Sequence, residues 1–114
     1  MHEMSVAKNI LDIVHEHIRP EDETKVSSII LKVGELSGIV NESLEFCFST
    51  LVHNTPLNKA KLIIQTIPIS AVCNSCNQIS QLEYGVFFCE KCHSSDIKLI
   101  SGNELQIEQI ELED

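Results

Sequence analysis

The chain has 114 residues, enough for one small aliphatic core with an appended module. Its 17 acidic and 8 basic residues give a net charge of −9, which disfavours nucleic-acid binding because phosphate contacts need a basic surface. The sequence opens without the basic and apolar regions of a signal peptide, and the uncharged stretch 62–82 contains a proline and several amides, so no membrane helix is predicted.

The first predicted element is an amphipathic helix that ends before Pro20. Apolar residues at steps of three and four form its apolar stripe, which is Met4, Ala7, Leu11, Val14 and Ile18, widened by Val6, Ile10 and Ile13. An acidic turn follows this helix. The β-branched run Val26 to Val33 then predicts a strand that ends at Gly34.

A second helix is predicted after a short turn, with Asn41 as its N-cap and Pro56 beyond its end. One side of this helix is apolar and consists of Leu44, Cys47, Phe48 and Leu51. Because Cys47 lies among these residues, we expect it to be a buried apolar side chain rather than a reactive thiol.

Two further strands are predicted, one over 61–69 and one at the end of the chain, where the alternation slips near 108–109 and suggests a bulge. The order of elements predicts an α+β fold, with two helices packed on a small three-stranded sheet. We expect this α+β part to be a domain formed by residues 1–70 plus 101–114. Residues 71–100 are expected to form an inserted zinc-ribbon-like domain.

Two CxxC turns with twelve residues between them are the most specific pattern in the chain. They contain Cys73, Cys76, Cys89 and Cys92. Each turn aims two thiolates at one point, so a pair of turns completes a tetrahedral sulfur site for zinc or iron. Four protein ligands leave no open position, which predicts structural zinc, with a redox dithiol pair as the alternative. Metal-type spacing without an export signal indicates a reducing cytoplasm.

Other chemical patterns in the sequence are weaker. The segment 89–93 fits a c-type haem attachment motif, but that reading leaves the first CxxC unexplained. We expect His93 to be either a neighbour of the zinc thiolates or an exposed side chain. The sequence has no paired carboxylates, Ser-His arrangement or phosphate-binding loop, so we do not expect an enzyme.

A histidine at position two makes the amino terminus a candidate second metal site. The Met1 amine, the His2 amide and the His2 imidazole place three nitrogens in series, and Met1 is expected to be retained because its removal normally needs a small second residue. A planar nitrogen donor set favours Ni(II) or Cu(II), and Glu3 could fill the remaining position. The alternative is an idle terminus, since any chain can begin with Met-His.

Several segments of the chain, taken in order, resemble one known family. They are Met1-His2-Glu3-Met4-Ser5, Gly34-Glu35-Leu36-Ser37-Gly38, the two CxxC turns and Ser101-Gly102-Asn103-Glu104-Leu105. As a set they are similar, over the whole chain, to the HypA/HybF family of hydrogenase nickel-incorporation proteins. The resemblance implies a cytoplasmic nickel metallochaperone that works with a HypB-type GTPase. Its client would be the large subunit of [NiFe]-hydrogenase, with urease proteins as further partners in some bacteria.

The resemblance also implies which residues bind metal. It assigns nickel to His2, with adjacent backbone nitrogens and Glu3, and structural zinc to the four cysteines. Some relatives are thought to add an acidic ligand before the second helix, where this chain has Val40-Asn41-Glu42, so no further ligand is assigned. Two other functions stay open: a zinc-ribbon interaction adaptor with an idle terminus, and a rubredoxin-like iron protein.

Overall fold

The computed structural model of the protein describes residues 3–114, which contain two α-helices, a 3₁₀ turn and six strands. The helices are α1 (Glu3–His17) and α2 (Asn41–Val52), the 3₁₀ turn is Pro20–Lys25, and the strands are β1 (Val26–Gly34), β2 (Lys61–Ile67), β3 (Ile69–Cys73), β4 (Ile79–Leu82), β5 (Ile97–Ser101) and β6 (Leu105–Leu112). In this part of the chain the strands form two sheets, with orders β2-β1-β6 and β4-β3-β5. The predicted α+β fold with an inserted four-cysteine module is therefore confirmed.

The chain divides into two compact units. The first contains the described residues up to Leu31, together with Gly38–Gln65 and Gln106–Asp114, and the second contains Lys32–Ser37 and Thr66–Leu105. The domain boundaries inferred from the sequence stay a prediction, because compactness does not show that either unit folds by itself.

The buried face of α1 differs in detail from the predicted stripe. The residues that it buries are Val6, Ala7, Ile10 and Val14. Met4 is exposed and Leu11 is half-buried, so these two predicted core residues lie at the edge of the stripe. The helix ends at His17, three residues before Pro20, whose ring cannot be accommodated within a helix.

Helix α2 begins where the sequence indicated but is capped differently. It buries Leu44, Phe48 and Val52 at steps of four, while Cys47 is half-buried. The predicted N-cap Asn41 is wrong, because within the described residues the cap position is Val40, which has no capping side chain of its own. The Val40 amide instead donates to Glu3 Oε2 at 3.2 Å. A carboxylate from another helix thus binds the amide at the start of α2.

The single strand predicted over 61–69 is in fact two strands. Strand β2 ends at Ile67, β3 begins at Ile69, and the two belong to different sheets. Pro68 lies at the break because it has no N–H to donate to a ladder. At the end of the chain, the half-buried positions of β6 shift from Leu105 and Ile107 to Ile110, as the predicted phase slip requires.

Two glycines allow a close backbone crossing in the second unit. Gly34 N–H donates to Glu104 O at 2.8 Å, and Leu36 N–H donates to Gly102 O at 2.6 Å. A Cβ atom added to Gly34 would lie 2.1 Å from both the carbonyl carbon and the carbonyl oxygen of Gly102. Since both neighbours are backbone atoms, no side-chain rotation can relieve this contact.

We therefore expect Gly34→Ala to destabilise the protein by about 3 kcal/mol, the upper range for an overpacked site. The control is Gly38→Ala, because Gly38 has φ +76° but no atom within 4 Å of an added Cβ. Left-handed strain alone should cost the control about 1 kcal/mol. Urea unfolding of the zinc-loaded proteins measures both changes, and equal losses for the two variants would contradict the crossing argument.

The second sheet has a small core. Strand β3 is antiparallel to both β4 and β5, with Ile69 opposite Leu82 and Cys73 opposite Ile97. The buried residues of this core are Ile69, Ala71 and Leu82, packed against the partly buried Leu36 and Ile97.

Among residues 3–114, neither helix is long and apolar enough to cross a membrane.

Candidate metal centre

The structure brings the four cysteines of the two CxxC turns together. Cys73 is the last residue of β3, and the second turn lies in the segment before β5. The four sulfur atoms all lie within 4.8 Å of one another. The Sγ atoms of Cys73 and Cys92 are 3.5 Å apart, and those of Cys76 and Cys89 are 3.7 Å apart. A tetrahedral zinc ion with Zn–S bonds of 2.3 Å requires sulfur separations of about 3.8 Å. The donor set therefore fits a zinc ion.

The two CxxC turns have the same backbone hydrogen bonds. In each, the first cysteine donates its N–H to the carbonyl five residues later and accepts the N–H of the residue four later. The partners, at 2.8–2.9 Å, are Gln78 and Asn77 for Cys73, and Ser94 and His93 for Cys89. Asn77 and His93 both have left-handed φ values, of 61° and 62°. Asparagine and histidine tolerate this region better than most residues.

Backbone amides favour the thiolate form of the first cysteine in each turn. The N–H of Cys92 and then that of Lys91 lower the pKa of Cys89 to about 6, although burial opposes the shift. The N–H of Cys76 has the main effect at Cys73, whose pKa is also lowered. Metal ligands must be deprotonated, so these backbone hydrogen bonds favour cation binding by the first cysteine of each turn.

The second cysteine of each turn has a raised pKa instead. The Ser94 N–H lowers the pKa of Cys92, but the Cys73 thiol, burial and the other thiols together raise it to about 12. At Cys76, the effects of burial and of neighbouring thiols likewise exceed that of a backbone amide and raise the pKa. Four thiolates this close repel one another, so full ionisation needs a multivalent cation among them.

Polar contacts hold the two turns in register. Asn74 N–H donates to Asp96 O at 2.9 Å, and the Asn74 side chain donates to Asp96 Oδ1 at 3.1 Å. The hydroxyls of Ser75 and Ser94 are 2.9 Å apart. These contacts are exposed, and each contributes only about 1 kcal/mol. They can align the turns but cannot replace a metal ion.

The centre is open on one side. Cys73 and Cys89 are buried, whereas Cys92 is exposed. His93 is exposed as well, with its ring centroid 6.0 Å from that of Phe88. His93 is therefore an exposed side chain, and the prediction that it neighbours the zinc thiolates stays a prediction.

The candidate nickel ligands are only partly within the described residues, because Met1 and His2 precede residue 3. Glu3 is the first residue of α1 and is half-buried beside the start of α2. It borders an open groove of about 520 Å³ lined by Glu3, Met4, Glu42, Ser43, Phe46 and Cys47. The sequence did not predict that Met4 and Cys47 border one groove, because only the packing of α1 on α2 brings these two residues to it.

Among residues 3–114, the four cysteines are the only group of three or more His, Cys, Asp or Glu side chains close enough to hold an ion. The groove beside Glu3 is thus not a preformed cage. The fold and the sulfur cluster together define a small protein with a metal-binding module.

Comparison with known proteins gives the family. Residues 1–112 match the family described as "Hydrogenase/urease nickel incorporation, metallochaperone, hypA". The chain therefore belongs to the HypA family, which confirms the resemblance seen in the sequence. Its members are metallochaperones rather than enzymes, so the expectation that the chain is not an enzyme is also confirmed.

Individual relatives match over almost the full length. The hydrogenase maturation factor HypA of Desulfatibacillum aliphaticivorans is 42% identical and aligns over 100% of this chain and 88% of its own length. That of Prosthecochloris aestuarii is 39% identical, over 99% of this chain and 100% of its own.

Solved structures give the same fold. The solution structure of the Ni metallochaperone HypA from Helicobacter pylori superposes with a TM-score of 0.67 and 24% identity, covering 99% of this chain and 98% of that one. A second solution structure of a HypA protein gives a TM-score of 0.70, also at 24% identity, and covers 98% of this chain and 96% of that one. At such identity these likenesses bear on the fold alone.

Proposed function

We propose that this protein binds Ni(II) at its amino terminus and delivers it to [NiFe]-hydrogenase during maturation, with a structural zinc ion on its four cysteines. The observation that carries the proposal is the match of residues 1–112 to a nickel-incorporation family, because that match includes both candidate metal sites. Urease is a further proposed client, since the family description names it as well.

The proposed zinc site is Cys73, Cys76, Cys89 and Cys92. Two observations support it. The sulfur separations are close to those of a tetrahedral zinc thiolate, and the backbone N–H of Cys92 donates a hydrogen bond to Cys89 Sγ. Four protein ligands close the coordination sphere, so the zinc ion would stabilise the second sheet rather than take part in chemistry.

The proposed nickel ligands are the Met1 amine, the His2 amide and imidazole, and Glu3. Three nitrogens in series form fused chelate rings in a plane, which suits Ni(II). The hydrogen bond from the Val40 amide to Glu3 Oε2 supports a role for Glu3, because it holds the carboxylate of the residue that follows His2 in the sequence. Nickel is cargo here, and an open site allows it to be released.

The proposed partners are a HypB-type GTPase and the immature large subunit of hydrogenase. The chain lacks a phosphate-binding loop, so a partner would have to supply any nucleotide hydrolysis. Deletion of the gene should lower hydrogenase activity under nickel limitation, and excess nickel in the medium should partly restore it. Normal activity in such a strain, with no second copy of the gene, would refute the proposal.

We expect Glu3→Gln to weaken nickel binding about tenfold, the lower range for loss of a group that supports a metal site. Glutamine keeps an oxygen for the Val40 amide but removes the negative charge that favours a cation. The matched control is Glu42→Gln, because Glu42 borders the same groove. Calorimetric titration with Ni(II) compares the two variants. A larger loss of nickel affinity in the control would show that Glu3 is not a nickel ligand.

A further inference from the structure

Most aromatic side chains of this protein lie outside its core. The chain has four phenylalanines, one tyrosine and no tryptophan. Among residues 3–114, which include all five, Phe48 alone is buried. Phe46, Tyr84, Phe87 and Phe88 expose 71%, 74%, 46% and 41% of their surface. Three of these four lie within residues 84–88, here called the aromatic loop.

The aromatic loop begins with a tight, solvent-exposed turn of the second unit. Val86 N–H donates to Glu83 O at 3.0 Å, and Gly85 has φ +88°, as position three of a type II turn requires. Tyr84 therefore lies at the corner of this turn. A Cβ added to Gly85 would meet no atom within 4 Å, so the turn is open at this position.

Both ends of the aromatic loop are anchored. On one side Leu82 of β4 is paired with Ile69 of β3, and on the other side the loop runs directly into Cys89 of the metal centre. Among the described residues, Phe88 packs its ring near His93, whereas Tyr84 and Phe87 make no ring contact. An anchored loop that presents free aromatic side chains loses little conformational entropy on binding, which is typical of interface hot spots.

We propose that the aromatic loop is the docking site for a protein partner of nickel delivery, whose surface carries an apolar pocket rimmed by lysine and arginine. This inference rests on the proposed function for the identity of the partner.

The exposed area favours a transient partner over a second copy of the chain. With about 200 Å² for each aromatic side chain, Tyr84, Phe87 and Phe88 leave roughly 300 Å² exposed. A standard stable interface buries about 800 Å² on each side. The aromatic loop can therefore supply the central anchor of a transient complex but not the whole face of a stable dimer.

The charges beside the aromatic loop define the rim of the pocket. Glu83 immediately precedes Tyr84, and Glu90 follows Cys89; both are exposed, whereas the adjacent cation, Lys91, donates a hydrogen bond to Gln78 Oε1. Within residues 3–114, neither carboxylate has an ion-pair or hydrogen-bond partner. The chain also carries a net charge of −9. A basic rim would pair with these two carboxylates and steer the encounter, whereas an acidic one would be repelled.

The test removes the two aromatic side chains that make no ring contact, in the double variant Tyr84→Ser/Phe87→Ser. The control is Leu112→Ser, because Leu112 is a similarly exposed apolar residue on β6, at 49%. Binding of each full-length protein to the purified GTPase and to the purified immature large subunit is measured by interferometry. We expect the Kd of the double variant for one of these proteins to rise at least about tenfold, the effect of losing a hot-spot aromatic. The control should bind like the parent, and the zinc content and nickel affinity of both variants should be unchanged.

A second variant tests the basic rim. Glu83→Gln/Glu90→Gln should lower the association rate for the same partner several-fold and reduce its dependence on salt. An unchanged association rate and salt dependence would overturn the proposal that basic residues rim the partner's pocket.

The remaining outcomes distinguish a failure of the proposed docking site from a failure of the proposed function. If the double variant binds both proteins as the parent does, the docking site is wrong while nickel delivery stands. If the parent sediments as a dimer that the double variant dissociates, a second copy covers the loop and the proposal fails. If the parent binds neither protein, the proposed partners are wrong. A benzoylphenylalanine crosslinker at position 87 in cells then decides: an adduct with an identified protein that has a basic-rimmed pocket supports the docking site, and no adduct overturns it.

Discussion

Replacement of Cys89 by alanine is expected to abolish zinc binding and to unfold the second unit, while α1 and α2 keep their helical structure. Among the described residues, the apolar cluster of the second sheet has three buried members, Ile69, Ala71 and Leu82, with Leu36 and Ile97 partly buried against them. A core of this size does not offset the conformational entropy of ordering the surrounding strands and turns. The free energy of metal binding would therefore be the free energy of folding for this unit.

Two measurements check this prediction on the same sample. Elemental analysis should find about one zinc ion per chain in the parent and close to none in Cys89→Ala. Hydrogen exchange should show lost protection for the amides of β3 and retained protection for those of α1. The control is Cys47→Ala, which removes a half-buried thiol of α2 and should keep its zinc. Full zinc content in Cys89→Ala, or protected β3 amides without zinc, would contradict the prediction.

The features that could be predicted from the sequence are those with local causes. A CxxC turn is fixed by its own residues, so the spacing of the cysteines was enough to predict that they would meet. The bounds of β1 were also predicted closely, because a β-branched run that ends at Gly34 has few alternatives.

The features that were missed have nonlocal causes. The sequence predicted one strand over 61–69, but not that it breaks at Pro68 and that the chain continues at once into a second sheet. Asn41 was a sound choice of N-cap by residue type, yet the Val40 amide is bound by Glu3, 37 residues away in the chain. Residues 86–88 form an apolar run between the cysteine turns, and the sequence alone does not tell whether such a run is buried. Phe87 and Phe88 are exposed. The sequence does not reveal this, because the hydrophobicity of a residue does not tell whether it lies in a core or on a binding surface.

His2→Ala is expected to abolish specific Ni(II) binding and to leave the zinc content and the folded structure unchanged. The imidazole closes the second chelate ring, and without it the amine and the amide have no anchor that drives deprotonation of the amide. The matched control is His17→Ala, because His17 is an exposed histidine at the other end of α1. Its ring is hydrogen-bonded to Ile13 O. Calorimetric titration of protein with an authentic Met1 measures the loss.

Two further conditions separate the contributions of the amine and the imidazole. A residue added before Met1 converts the amine into an amide nitrogen that does not bind metal, so nickel affinity should fall while His2 remains in place. In the parent, nickel binding should fall steeply as the pH drops through about 6.5, because protonated imidazole cannot bind metal. If the extended protein binds as the parent does and His2→Ala does not bind, the imidazole is a ligand and the amine is not. If His2→Ala and His17→Ala bind nickel equally well, the amino-terminal site is wrong, since the two histidines would then be equivalent.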